Sequence, residues 1–131
     1  MEIFLNNFLR TTLNIQDYSR QQVQREALYH GILVGLLQPQ GERWYCISNM
    51  ETGTGYADIT LSTQENEIGF ILELKYARSD NLEFYCQEAM KQINSKHYID
   101  YFRKNRYSQV LKYAIAFFEK SCKVVVEKEN L

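Results

Sequence analysis

Hydrophobic and polar positions recur with two different periods along this chain, and the change of period separates predicted helices from predicted strands. Residues 1–14 place apolar side chains at helical spacing, which predicts a short amphipathic helix. A longer helix is predicted from Ser19, a good capping residue, to Leu37, just before Pro39. The residues predicted to face the core from the first helix are Ile3, Phe4, Phe8 and Leu9.

Alternating or continuously apolar runs mark five later segments as strands, and the polar turn between the second and third predicts a hairpin. Between the third and fourth strands, residues 82–93 predict a helix, and residues 97–105 continue helically. The charges of the last strand predict a sheet edge. The strands are predicted at 43–49, 57–61, 69–77, 110–118 and 122–129.

The order of these elements predicts an α/β fold in which helices flank a central mixed sheet of about five strands. With 131 residues, 45% hydrophobic and 24% charged, the chain is expected to form one domain, 1–131. Three cysteines without C-x-x-C spacing argue against a disulfide framework or a zinc site. No signal-peptide pattern and no run of 18 apolar residues occur, so a cytoplasmic location is expected.

One predicted strand carries two charges among apolar neighbours. Side chains alternate along GFILELKYA, residues 69–77, so Glu73 and Lys75 share a face. Burying an ion is costly unless it is paired or binds a metal. Asp58 is expected beside Glu73 on the adjacent strand, and a further acid, Glu26, lies on the preceding helix. Carboxylate oxygens suit Mg²⁺, which also takes phosphate oxygens as ligands, so this arrangement predicts phosphodiester hydrolysis.

These residues resemble the PD-(D/E)xK nuclease superfamily, whose motif would be Asp58 followed by Glu73-Leu74-Lys75. The resemblance spans about residues 26–118 and implies a restriction-endonuclease-like core of αβββαβ order. It is similar to one bacterial branch, commonly fused behind an AAA-ATPase-like domain, so such a domain or protein is a candidate partner. The segments similar to successive blocks of that branch are EALYHGILVGLL, SNMETGTGYADITL, ILELKYA, EAMKQINSKHY and YAIAFF.

The resemblance implies a role for each matching residue. Asp58 and Glu73 would bind Mg²⁺, or Mn²⁺ in its place, with the backbone carbonyl of Leu74 and the Glu26 carboxylate as further ligands. Lys75 would orient or deprotonate the attacking water and stabilise negative charge in the transition state. The remaining matches are Gln92, a helix glutamine near the catalytic lysine, and Tyr98, a phosphate contact.

Each of these residues also has a structural interpretation. Glu73 and Lys75 could form a cross-strand ion pair on a half-exposed sheet. Asp58 could be a turn residue at a strand start, and Glu26 a solvent-exposed helix acid. His30, a candidate base or substrate ligand one helical turn after Glu26, could instead be a hydrogen-bonded packing residue.

The charge of the chain is balanced, with 15 Lys+Arg against 16 Asp+Glu, and does not itself indicate a nucleic-acid partner. One segment, 91–112, combines six basic residues with a single acid, Asp100, and interleaved aromatic residues. Such a segment could contact phosphates, with Lys91 and Lys96 as candidates, and stack on bases; a solvated helix face is the alternative. The aromatic residues are Tyr98, Tyr101, Phe102 and Tyr107.

Two functions from different classes follow. The first is a Mg²⁺-dependent nuclease that cuts DNA, with RNA less favoured. The second is a catalytically silent nuclease-fold module for protein docking or nucleic-acid binding, for example beside a separate ATPase. Near-neutral charge favours the second function, because isolated nucleases usually need a basic track to hold their substrate.

Overall fold

The computed structural model describes residues 1–12, 22–37, 44–52, 55–63, 65 and 67–131. The predicted element order is confirmed, and α4 is a separate helix because His97, at φ 53°, interrupts the right-handed helical backbone. Among the described helices, none is both long enough and apolar enough to cross a bilayer. The elements are α1 (Glu2–Thr12), α2 (Gln22–Leu36), β1 (Trp44–Thr52), β2 (Gly55–Thr63), β3 (Ile68–Tyr76), α3 (Leu82–Ser95), α4 (Ile99–Lys104), β4 (Gln109–Phe118) and β5 (Ser121–Asn130).

The five strands form one mixed sheet in the order β1-β2-β3-β4-β5. Three of the four neighbouring pairs are antiparallel, while β3 and β4 are parallel. Parallel neighbours need a crossover connection, and here α3 and α4 provide it. The prediction of a mixed α/β sheet is therefore confirmed, with β5 at an edge as expected.

Helices cover both faces of the sheet, and the alternation of β3 divides its side chains between two cores. Leu72 and Tyr76 belong to the first core, where Tyr29 and Leu33 of α2 pack against them. Ile71 belongs to the second core, together with the buried residues of α3 and α4. The same alternation turns Glu73 and Lys75 away from the face that carries Leu72 and Tyr76, as predicted.

The predicted orientation of α1 is wrong for two residues. Ile3 and Phe4 are 79% and 58% exposed, whereas Leu5 and Leu9 are buried in the first core. The sheet-facing side of α1 also carries polar residues, which bond the backbone of β5. Asn6 Nδ2 donates to the Cys122 carbonyl at 3.0 Å and Asn6 Oδ1 accepts from the Cys122 N–H at 2.7 Å. Glu2 Oε2 accepts from the Val124 N–H at 2.8 Å, so α1 hydrogen-bonds the outer edge of the sheet.

Close packing of α4 on the sheet depends on a glycine in β3. The Phe102 ring, fully buried in the second core, lies over Gly69. A Cβ added at Gly69 would lie 2.3 Å from Phe102 Cδ1, well inside van der Waals contact. Gly31, in the interior of α2, has nothing within 4 Å of the equivalent position.

We expect Gly69→Ala to destabilise the protein by about 1–3 kcal/mol, because the added methyl group must displace a ring packed on all sides. Gly31→Ala is the matched control, and it should be neutral or stabilising by up to about 1 kcal/mol, since alanine favours helix. Urea unfolding followed by circular dichroism measures both. Equal midpoints for the two variants would contradict the close approach of α4.

Candidate catalytic site

Pairing between β2 and β3 stops just before the charged part of β3. Ile59 opposite Leu72 is the last paired position, so Asp58 and Glu73 are the next residues facing each other across the two strands. Opposite residues of an antiparallel pair project to the same face, and Lys75 lies two residues beyond Glu73 on that face. The structure therefore brings Asp58, Glu73 and Lys75 together on the face covered by α3, as the alternation predicts.

Asp58 takes the place of a strand partner for β3. Its Oδ2 accepts a hydrogen bond from the backbone N–H of Leu74 at 2.8 Å. In a β-strand the N–H and C=O of one residue point to the same edge, so the Leu74 carbonyl faces the side on which Asp58 lies. His30 Nε2 lies 3.1 Å from the Asp58 carbonyl oxygen, which connects β2 to α2.

Gln92 of α3 bridges the acid and the base. Its Oε1 accepts a hydrogen bond from Lys75 Nζ at 2.7 Å, and its Nε2 donates to Glu73 Oε1. One amide thus presents its acceptor to the ammonium and its donor to the carboxyl group, as the two partners require. Gln92 fixes the orientation of both side chains.

Glu73 is the most unusual residue of this cluster. The residue is 2% exposed, and its Oε2 is buried without a hydrogen-bond partner among the described residues. The pKa of Glu73 is raised from 4.5 to about 8, mainly by burial and next by the charge of Asp58. Lys75, a backbone hydrogen bond from Asp58 and the more distant Lys96 lower the pKa, but desolvation dominates.

Tyr98 lies beneath the cluster instead of at the surface. It is 1% exposed and packs in the second core, and a hydrogen bond with the Gln92 side chain reaches its hydroxyl. Burial raises the pKa of Tyr98, with the nearby charges of Glu73 and Asp58 acting in the same direction. This placement favours a role in holding Gln92 over a direct contact with phosphate.

The other predicted site residues lie farther out. Lys91 is exposed and pairs with Glu88 at 3.2 Å, one position from Gln92 on α3 but outside the Asp58–Glu73–Lys75 group. Lys96 is exposed at the end of α3, close enough for its charge to act on Glu73. Glu26 lies on α2, but its side chain is outside the part of the chain that the structure describes.

The aromatic residues of the basic segment do not form a stacking surface. Tyr98, Phe102 and Tyr107 are buried in the second core, and Lys112 is buried as well, so these three rings are not exposed for stacking on bases. Rings at these positions contribute apolar area to the packing of α4 on the sheet. The exposed cations of this segment are Lys91, Lys96, Arg103, Lys104 and Arg106.

A divalent cation is compatible with the donor set. Within the described residues no group of three or more His, Cys, Asp or Glu side chains converges, so Asp58 and Glu73 are the described carboxylates at this position. Mg²⁺ typically takes one or two carboxylates from a protein and completes its shell with water and phosphate oxygens. The buried, unpartnered Glu73 Oε2 is the kind of atom that such a cation satisfies.

One polar pair near this site was not predicted. Lys112 Nζ donates to Asn94 Oδ1 at 2.8 Å, on the side of α3 opposite Gln92. The signal was present in the sequence, because Lys112 interrupts the apolar run VLKYAIAFF as Lys75 interrupts GFILELKYA. A pattern within β4 does not indicate which helix supplies the partner of Lys112, here Asn94 of α3.

Comparison with protein-family models identifies a family for most of the chain. Residues 24–127 match a family model described as the PD-(D/E)XK nuclease superfamily. No curated protein is significantly similar to the chain in sequence. The matched range includes Asp58, Glu73, Lys75 and Gln92.

The raised pKa of Glu73 predicts how stability depends on pH when no metal is added. The folded state holds a proton that the unfolded state releases above about pH 4.5, so this contribution is complete below pH 4.5 and is lost as pH rises toward about 8. Glu73→Gln, which mimics the protonated acid, should therefore gain stability relative to wild type at high pH, by up to roughly 5 kcal/mol.

Urea unfolding in EDTA at pH 5 and pH 8.5 measures this effect. Glu88→Gln, at a partly exposed position of α3, is the matched control and should keep the pH dependence of wild type. A Glu73→Gln protein whose stability changes with pH as wild type does would contradict the raised pKa.

Proposed function

Because the chain belongs to the PD-(D/E)XK nuclease superfamily, we propose that it hydrolyses phosphodiester bonds in nucleic acid, in DNA more than RNA, at the site formed by Asp58, Glu73 and Lys75. The superfamily supports a nuclease-type function. The substrate and the identity of the metal are our proposals, argued from the side chains of the site.

The observation that carries the proposal is the buried Glu73 Oε2 without a partner among the described residues. A protein retains such an atom at a cost in stability, and a cation or a proton must neutralise the carboxylate. We propose that Asp58 and Glu73 hold Mg²⁺, or Mn²⁺, with the Leu74 carbonyl and Glu26 as further ligands. When bound, the metal lowers the pKa of a bound water and stabilises charge on the phosphoryl oxygens.

Lys75 is the residue that acts on the water and the phosphate. Gln92 holds its ammonium group beside Glu73 through the 2.7 Å hydrogen bond, so the lysine cannot swing freely between rotamers. Charged, Lys75 stabilises negative charge that develops on the phosphoryl oxygens; neutral, it accepts a proton from the attacking water. Tyr98, which shares a hydrogen bond with Gln92, supports this orientation from the core side.

Substrate would approach over the end of α3. Lys91 and Lys96 are exposed cations there, and each phosphate that a lysine neutralises adds a salt-dependent increment to affinity. His30 bonds the backbone of Asp58 through Nε2. We therefore expect His30 to hold Asp58 in position and to lie near the bound strand.

A second candidate function is a catalytically silent module that docks on a protein, such as an AAA-ATPase-like partner, or binds nucleic acid without cutting it. The observation that favours it is the net charge of −1, which provides no general attraction for a polyanion. The burial of the aromatic residues in segment 91–112 points in the same direction.

We expect Asp58→Asn, Glu73→Gln and Lys75→Met each to reduce cleavage of plasmid DNA in Mg²⁺ by about 100-fold or more, because each removes a group acting on the transition state. Lys120→Met, an exposed lysine at the turn between β4 and β5, is the matched control and should cleave as wild type does. Substrate preference follows from the same assay with single-stranded DNA and RNA. Full cleavage by Asp58→Asn would contradict the assignment.

Metal binding separates the two candidate functions without an activity assay. Millimolar Mg²⁺ or Mn²⁺ should raise the melting temperature of wild type, because a ligand bound to the folded state alone stabilises it. Asp58→Asn should show no such rise. An unchanged melting temperature of wild type in millimolar metal would favour the silent docking module.

A further inference from the structure

A second polar site lies on the other side of α3 from Lys75. Gln92 and Asn94 are two residues apart, so they project to opposite sides of the helix, with the buried Ile93 between them. Gln92 reaches Glu73 and Lys75 on β3, whereas Asn94 reaches Lys112 on β4. A cavity of about 210 Å³ opens beside Asn94, between α4 and the β4–β5 pair.

The two sites are close to each other. Lys112 stands opposite Ile71 in the parallel β3–β4 register, and Ala114 stands opposite Glu73. From strand spacing and rise, the Cα atoms of Lys112 and Glu73 are roughly 8 Å apart. This distance is slightly more than the length of two base steps in a stacked strand, at about 3.4 Å per step. Lys96, exposed just after α3, acts on Glu73 through its charge and directly precedes His97, which lines the cavity.

The polar lining of the cavity is held in place by ion pairs that compensate one another. Lys112, with a side chain 7% exposed, donates to Asn94 and pairs with Glu129 at 2.9 Å and Glu127 at 3.8 Å. Glu129 also pairs with Arg103 at 3.9 Å, and Asp100 pairs with Arg103 at 3.5 Å. The guanidinium group is therefore held at the cavity between a carboxylate on α4 and one on β5.

The chemistry of this lining suits a neutral, flat, hydrogen-bonding ligand. Ile93 and Ile99 provide apolar walls, Asn94, Asp100 and Glu129 provide polar atoms, and Arg103 provides a planar group that stacks on aromatic rings. Arg103 and Lys112 balance the charges of Asp100 and Glu129, so the paired lining offers no excess positive charge to a phosphate. The volume is below the about 300 Å³ at which pockets for drug-sized ligands begin, and it suits a single heterocycle.

The backbone at the mouth of the cavity is also unusual. His97, which lines it, has φ 53°, a left-handed conformation that favours glycine or asparagine. Its neighbour Tyr98 lies in the hydrogen-bond network of Gln92, so adjacent residues border the two sites.

We propose that this cavity receives one unstacked nucleobase of the strand bound at Asp58, Glu73 and Lys75. The inference rests on the proposed nuclease function and adds the class of substrate, a strand with an unpaired or flipped base near the cleaved bond. Arg103 stacks on the base, Ile93 and Ile99 pack against it, and the fixed polar atoms bond its edge.

Isoleucine methyl NMR tests this without any cleavage. In EDTA, tetradeoxyadenylate should shift the methyl signals of Ile93 and Ile99, while a tetramer of four abasic sugars with the same phosphates should not. Ile115, buried in the first core on the opposite face, is the internal control. Equal shifts at Ile99 with both tetramers, or none with either, would overturn the proposal.

A pair of variants on α4 gives a second measurement. Arg103→Ala should weaken binding of tetradeoxyadenylate about tenfold, whereas Lys104→Ala, an exposed cation of the same helix that does not line the cavity, should have a much smaller effect. With the abasic tetramer, the two variants should weaken binding equally. If Arg103→Ala and Lys104→Ala behave alike with both tetramers, no base is bound at Arg103.

These outcomes are separate from those of the cleavage assay. Base-dependent shifts at Ile99 with no cleavage in Mg²⁺ would retain the base site and reject the nuclease function. Cleavage by wild type without base-dependent shifts would retain the nuclease function and reject the base site.

Discussion

The burial of one carboxyl group, that of Glu73, determines the arrangement of the residues around it. A carboxylate deep in a sheet cannot be solvated, so either its neighbours compensate its charge or the group holds a proton. Gln92 donates to it, Lys75 offsets its charge, and Asp58 opposes its ionisation. The buried carboxyl group therefore lowers the stability of the fold, and the proposed cation would provide a partner for Glu73 Oε2, which has none among the described residues.

The topology of the sheet makes this burial possible. β3 is a central strand with neighbours on both sides, and α3, the first part of the crossover to the parallel strand β4, covers the face that carries Glu73. Because pairing with β2 ends at Ile59 and Leu72, the last part of β3 is open on one side to a side chain, and Asp58 fills that position. A helix on one side and an unpaired strand end on the other create a polar recess inside an otherwise apolar sheet.

Local sequence pattern predicts those parts of the structure that depend on neighbouring residues. The alternation of β3 was sufficient to place Glu73 and Lys75 on one face, and the resemblance to the superfamily added Gln92. Patterns within a segment carry no information on contacts between distant segments. They gave the wrong side for Ile3 and Phe4, since the rotation of α1 is set by hydrogen bonds to β5, and they left the packing of Tyr98 under Gln92 undetermined.

The bonds between α1 and β5 have a consequence for the order in which the protein assembles. Asn6 and Cys122 are 116 positions apart, so the polar side of α1 can bond to β5 only after nearly the whole chain has been made. During synthesis on the ribosome, Leu5 and Leu9 of this segment lack part of the sheet that later packs against them. Bonding of α1 to the sheet edge therefore cannot precede the synthesis of β5, which makes it a late step of assembly.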